Sequence, residues 1–176
     1  MDMERTSMES EHYPFEPLAF LLVEDSPSEV FALAETFNTA RIYNKLMVLR
    51  RGMDVLPFLR REPPFESKRR PDAIFLKLPL RDVDGGKLLE EIRADTRISG
   101  LPVIVIIDGP TTDVMEETFG LDAELVLHKP INPNRLRSAL LSLEGRWITF
   151  LKETANGEAA APLPAEIAVP AGSVSS

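Results

Sequence analysis

The sequence predicts an α/β fold in which a doubly wound, five-stranded parallel sheet carries helices on both faces. Three observations carry that reading. Short, wholly apolar runs recur along the chain, segments with helical spacing alternate with them, and the strand–helix order repeats five times. Apolar runs of this length mark strands buried on both faces, because crossover helices cover a parallel sheet above and below. Repeated β-α units connect by right-handed crossovers into one sandwich. The strand order 2-1-3-4-5 is the flavodoxin-like arrangement.

Each element has its own signal. Ala19 to Val23 is the first strand, ending in Glu24-Asp25. Ser26-Pro27-Ser28-Glu29 then starts a helix, with Ser26 as N-cap, Pro27 at the first position and Glu29 reaching back. Val30, Leu33, Ala34 and Phe37 continue it. Leu46 to Leu49 is the second strand. Met53, Val55, Leu56 and Leu59 share a helix that Pro57 bends or shortens. Residues 62–71, with Pro63 and Pro64, form a loop. Ala73 to Leu76 is the third strand, and Leu88, Leu89 and Ile92 mark a helix after Gly85-Gly86. Pro102 to Ile107 is the most apolar strand and hence central. Thr111 to Phe119 is a weaker helix, and Leu125 to Leu127 the fifth strand. The last helix has Asn132 as N-cap, Pro133 in its first turn, and Leu136, Leu140 and Leu143 inward.

Composition bounds the function. The 176 residues are 44% hydrophobic and 27% charged, enough for one domain with a core. Residues 1–16 read as a flexible leader and 17–152 as the folded unit. Residues 153–176, rich in Ala, Pro, Gly and Ser, read as a disordered tail. A net charge of −8 argues against nucleic acid as a partner. The chain has no cysteine, and its two histidines, His12 and His128, cannot build a metal cluster with each other. No metal or other cofactor is expected. No apolar run approaches the ~20 residues that span a bilayer, and the polar N-terminus has no signal-peptide core. The expected compartment is the cytoplasm, with no membrane partner.

In this architecture ligands bind beyond the carboxyl ends of the strands. Those ends carry Glu24-Asp25, Lys77, Ile107-Asp108 and His128-Lys129. Four motifs in this order resemble the receiver domains of two-component signalling. LLVEDSP is similar to the first strand and acidic pair, PDAIFLKLPLRDVDGG to the third strand and phosphorylation loop, LPVIVII to the fourth strand, and LHKPI to the fifth. Positions 77 and 129 are 52 apart, the family's interval between phosphorylated aspartate and lysine. The resemblance covers residues 18–150. It implies that Glu24 and Asp25 occupy Mg²⁺-binding positions, and that Lys129 is the site lysine, joined to Pro130 by a cis bond. A narrower likeness, in FLRREPPFESKRRPDAIFL, LLEEIRADTRISGLPVIVI and RWITFL, is to the regulators of bacterial phytochrome kinases. Those are single-domain receivers without a DNA-binding output, and their kin form dimers.

The departures from the pattern set the functional expectation. Lys77 stands where the resemblance implies the phosphate-accepting aspartate, and an ammonium cannot form an acyl phosphate. Ile107 replaces the Thr or Ser that would meet the phosphoryl oxygen, and Val126 the aromatic switch residue. Pro79 and Arg81 alter the loop that would contribute a metal-binding carbonyl. Adjacent carboxylates repel unless a cation lies between them, so Lys77 is expected against Asp25 in the cation's place, unless its long stem carries it outward. Lys129 is either a site cation or displaced outward by Lys77.

Near the end, Trp147, Ile148, Phe150 and Leu151 put four large apolar residues into five positions, as a homodimer interface would. The reading is a pseudo-receiver: no enzyme, but a binding module that dimerises and docks on a histidine kinase or another response regulator. Its first helix, with Val30 and Phe37, would be the docking face. The alternatives are a divergent receiver phosphorylated on Asp25, Asp82, Asp84 or Asp108, and a structural subunit. The basic stretch through Arg50-Arg51, Arg60-Arg61 and Lys68-Arg69-Arg70 is either a solvated face or a patch for an acidic partner.

Overall fold

Five parallel strands form one sheet in the order β2-β1-β3-β4-β5. The computed structural model describes residues 18–42, 44–108 and 125–143. The strands are β1 (Leu18–Val23), β2 (Asn44–Leu49), β3 (Ala73–Leu78), β4 (Val103–Asp108) and β5 (Val126–Lys129). The described helices are α1 (Pro27–Thr39), α2 (Val55–Arg60, preceded by a 3₁₀ turn over Gly52–Asp54), α3 (Gly85–Ala94) and α4 (Pro133–Leu141). The expected helix over Thr111 to Phe119, the leader, the tail and Trp147 to Leu151 lie outside the described residues.

Period-two alternation divides the core between the two faces of the sheet. Leu21, Val23, Leu76, Leu78, Val105, Ile107 and Val126 pack with α2 and α3 residues on one face. Phe20, Leu22, Phe75, Ile104, Ile106 and Leu127 pack with α1 and α4 residues on the other. Phe20 stacks on Phe37 at 5.2 Å and meets Phe75 edge-on at 5.4 Å, so three rings fix α1 against the sheet.

Strands β3 and β5 run further than their apolar runs predict, and Lys77 and Lys129 are strand residues. Lys77 pairs with Ile106, and Asp108 with Lys129. Pro57 sits in the first turn of α2, where a missing N–H is tolerated, and the six-residue helix ends instead at Arg61, in the left-handed conformation at φ 59°. Helix α3 includes the two glycines and is capped by Asp84, which accepts from the Lys87 amide.

Two expectations for α1 are corrected. Ser26 makes no side-chain cap, and Glu29 does not reach back; the Ser26 amide donates to Glu24 instead, at 2.9 Å, and Glu29 turns to Lys129. The attraction of a site cation outweighs a neutral cap at an exposed amide. Val30 and Phe37 are not a docking face either. They are 5% and 1% exposed and hold the helix to the sheet, while Phe31 faces solvent at 65%.

Candidate functional site

Glu24 continues the parity of Phe20 and Leu22, Lys77 that of Ala73 and Phe75, and Lys129 that of Leu127. The alternation of the strands therefore delivers all three side chains to the α1/α4 face at the carboxyl end of the sheet. Lys77 Nζ donates to Asp25 Oδ1 at 2.8 Å and lies 3.5 Å from Glu24 Oε1. Lys129 Nζ donates to Glu24 Oε2 at 2.9 Å, with Asp108 and Glu29 oxygens at 3.2 and 3.3 Å. Arg81 Nε closes on the other Asp25 oxygen at 2.7 Å. Lys129 is turned inward, not displaced.

Glu24, at 2% exposure, is the one charged side chain in the buried core of the described residues. Burying a carboxylate costs several kcal/mol, roughly, unless its oxygens are matched. Here one oxygen takes the Ser26 amide and faces Lys77, and the other takes Lys129. The hydrogen bond from Lys77 outweighs partial burial and, with Arg81, lowers the Asp25 pKa to about 2. Burial opposes the charged forms of both lysines. Hydrogen bonds to Asp25 and Glu24 overcome it, so Lys77 and Lys129 titrate above an ordinary lysine. Asp25, Lys77 and Lys129 are therefore ionised throughout the neutral range.

The side chains present do not fit the Mg²⁺ that the family resemblance implies. An ammonium lies between the two carboxylates, and a guanidinium takes the outer oxygen of Asp25. A hard dication needs oxygen donors, and three cationic side chains line the same space. Among the described residues no group of three or more His, Cys, Asp or Glu could hold a metal.

Two other residues singled out in the sequence stay apart from the cluster. Ile107 and Val126 are 4% and 0% exposed and belong to the core of the opposite face. Pro130, after a cis bond, is exposed; His128 is half-buried. Sequence reasoning missed Arg81 as a second partner of Asp25 and the pairing of Lys129 with Glu24. The parity shared by Glu24, Lys77 and Lys129 was the available signal for the latter. Beside the cluster, a cavity of about 440 Å³ opens between α1 and the end of β5, with Glu24, Glu29, Asp108 and Lys129 at its polar side and Leu33 and Ile106 at its floor.

Comparison with known proteins gives the same frame. Residues 20–141 match the family model described as the response regulator receiver domain. Response regulator Rcp1 of Synechocystis sp. is 30% identical over 132 residues, spanning 75% of this chain and 90% of that protein. The bacteriophytochrome response regulator AtBRR superposes with a TM-score of 0.68 at 22% identity, covering 78% of this chain and 99% of its own. The phosphorylated cyanobacterial phytochrome response regulator RcpA gives 0.60 at 23%, covering 76% and 99%.

Proposed function

The chain belongs to the response regulator receiver family, and we propose that within it this protein signals without phosphorylation, by docking on a histidine kinase or another response regulator. The observation that carries the reading is Lys77. It occupies the acceptor position implied by the family pattern, and its ammonium lies 2.8 Å from Asp25, in the space a metal would need. An amine at this place offers no carboxylate oxygen for an acyl phosphate. The aspartates that could stand in are each engaged. Asp25 holds two cations, Asp82 accepts the Gly52 and Met53 amides, Asp84 caps α3, and Asp108 faces Lys129. That favours the pseudo-receiver over a receiver with a relocated acceptor.

The permanent ion pairs leave the site in one charge state, so the partner reads a fixed surface. The exposed Phe31 on α1 and the cavity beside Lys129 suit a protein partner better than a polyanion. The names of AtBRR and RcpA, a bacteriophytochrome and a cyanobacterial phytochrome response regulator, support a phytochrome-type kinase as that partner. Residues 17–152 form the folded unit, and two copies pair through Trp147, Ile148, Phe150 and Leu151, whose apolar bulk calls for cover.

The test is intact mass after incubation with acetyl phosphate and Mg²⁺. No phosphoryl adduct is expected, and binding to a phytochrome-type kinase is expected to be the same with and without the donor. A stable adduct, removed by substituting one of Asp25, Asp82, Asp84 or Asp108, would overturn the reading.

A further inference from the structure

We propose that the cleft between the end of α2 and the segment leading into β4 docks an acidic peptide segment of a partner protein, one that presents an aliphatic side chain beside a carboxylate. The cavity, of about 210 Å³, lies at the amino ends of β3 and β4, the end of the sheet opposite the ion cluster. Its apolar lining comes from Leu59, Pro71, Ile98 and Leu101, and Arg70 and Arg97 line it with them. That volume admits an aliphatic side chain and little more.

The charge beside this cleft is unlike that of the chain. Residues 60–72 hold five cations, Arg60, Arg61, Lys68, Arg69 and Arg70, against Glu62, Glu66 and Asp72, in a protein of net charge −8. Several of these cations are spent internally. Arg60 Nε bonds Asp95 at 2.8 Å, Arg61 donates twice to the Glu66 carbonyl, and Arg69 approaches Asp72 at 3.7 Å. Arg70 is exposed and has no ion-pair partner among the described residues. Arg97 gives two of its five N–H donors to Asp95, at 2.9 and 2.7 Å, which holds the guanidinium in place at the cavity.

The segment joining α2 to β3, which carries Arg70, is anchored against α2. Phe65 is 5% exposed and packs on Phe58 with ring centroids 5.4 Å apart, and the Glu62 amide bonds the Pro57 carbonyl at 2.9 Å. Arg97, already held by Asp95, loses little entropy on binding, and Arg is the side chain suited to a carboxylate. The overall negative charge repels a nucleic acid, whereas a short acidic segment meets only the local field. This site goes beyond the proposed function and does not depend on it.

The probe is N-acetyl-Glu-Leu-Glu-amide, titrated into the full ¹⁵N-labelled chain. Saturable amide shifts are expected at Leu59, Ile98, Gly100 and Leu101. N-acetyl-Lys-Leu-Lys-amide is expected to give none, and Arg70→Glu, an exposed substitution, to weaken binding about tenfold or more. Equal shifts with the lysine peptide, an unchanged affinity in Arg70→Glu, or no saturable shift would each overturn the proposal. Shifts at the same amides on removal of residues 153–176 alone would make the chain's own tail the occupant and overturn a partner segment.

Discussion

Lys77 stands where the family resemblance implies an aspartate, and its energetics can be read from its partners. Removing it leaves Asp25 with Arg81 alone and takes a cation from beside Glu24, which keeps Lys129. Fully buried pairs lose about 3–5 kcal/mol when one partner goes, and exposed pairs less than about 1. With the Asp25 side chain still 25% exposed, Lys77→Ala should cost about 1–3 kcal/mol, measured by urea denaturation. The pH dependence has a definite sign. The Asp25 pKa falls from 3.8 to about 2 on folding, so its contribution is complete above pH 4 and disappears as pH falls from there to 2. Lys77 and Lys129 are raised, so theirs holds below their ordinary pKa of 10.5 and is lost only above it. Thermal melting of Asp25→Asn should therefore lie below wild type at pH 7 and approach it at pH 2.

Legibility also divides at this scale. A pair of adjacent carboxylates demands a cation, and that demand alone points to Lys77. Nothing periodic points to Arg81, because its loop position carries no face. Glu29 fitted a capping box by spacing, yet the stronger field of Lys129 took it.

Among the elements, the junctions between loops hold the site in shape. Asp82, in the turn after β3, accepts the Gly52 and Met53 amides at 3.0 Å each and so caps the 3₁₀ turn ahead of α2. Gly52 has no room for a side chain there, since a Cβ would meet Val83 and come within 2.8 Å of Leu80. The two loops therefore move as one. Asp82→Ala should lower stability by about 1 kcal/mol and speed amide exchange at Gly52 and Met53, while exchange in β1 keeps its wild-type rank. Helix α1 shows what apolar spacing conveys and what it leaves out. Val30, Leu33, Ala34 and Phe37 define one face, but the pattern does not say whether that face meets the sheet or a partner. The sheet needed covering, and Phe20 and Phe75 take up Phe37.

For the whole molecule, the order of the strands follows from local evidence, because five apolar runs separated by helices leave few right-handed arrangements. The strand ends were read short at Leu76 and Leu127, where polar residues interrupt the apolar run although the backbone ladder continues to Leu78 and Lys129. Lys77 and Lys129 of the proposed site are among those extra residues, so the unbroken apolar run stops where the proposed site begins. Assembly belongs to this scale too. A homodimer through Trp147, Ile148, Phe150 and Leu151 predicts twice the 19.6 kDa chain mass in light scattering, and a monomer on Trp147→Glu. A monomer mass for wild type at every concentration would remove the dimer.

Whether the Lys77 ammonium holds the place of a metal ion is decided by a Mg²⁺ titration of the full chain followed by amide chemical shifts. No saturable change is expected at Glu24, Asp25 or Lys77 in wild type through millimolar Mg²⁺, and a saturable one is expected at the same amides in Lys77→Asp. Saturable shifts at Glu24 and Asp25 in wild type, lost in Asp25→Ala, would contradict it.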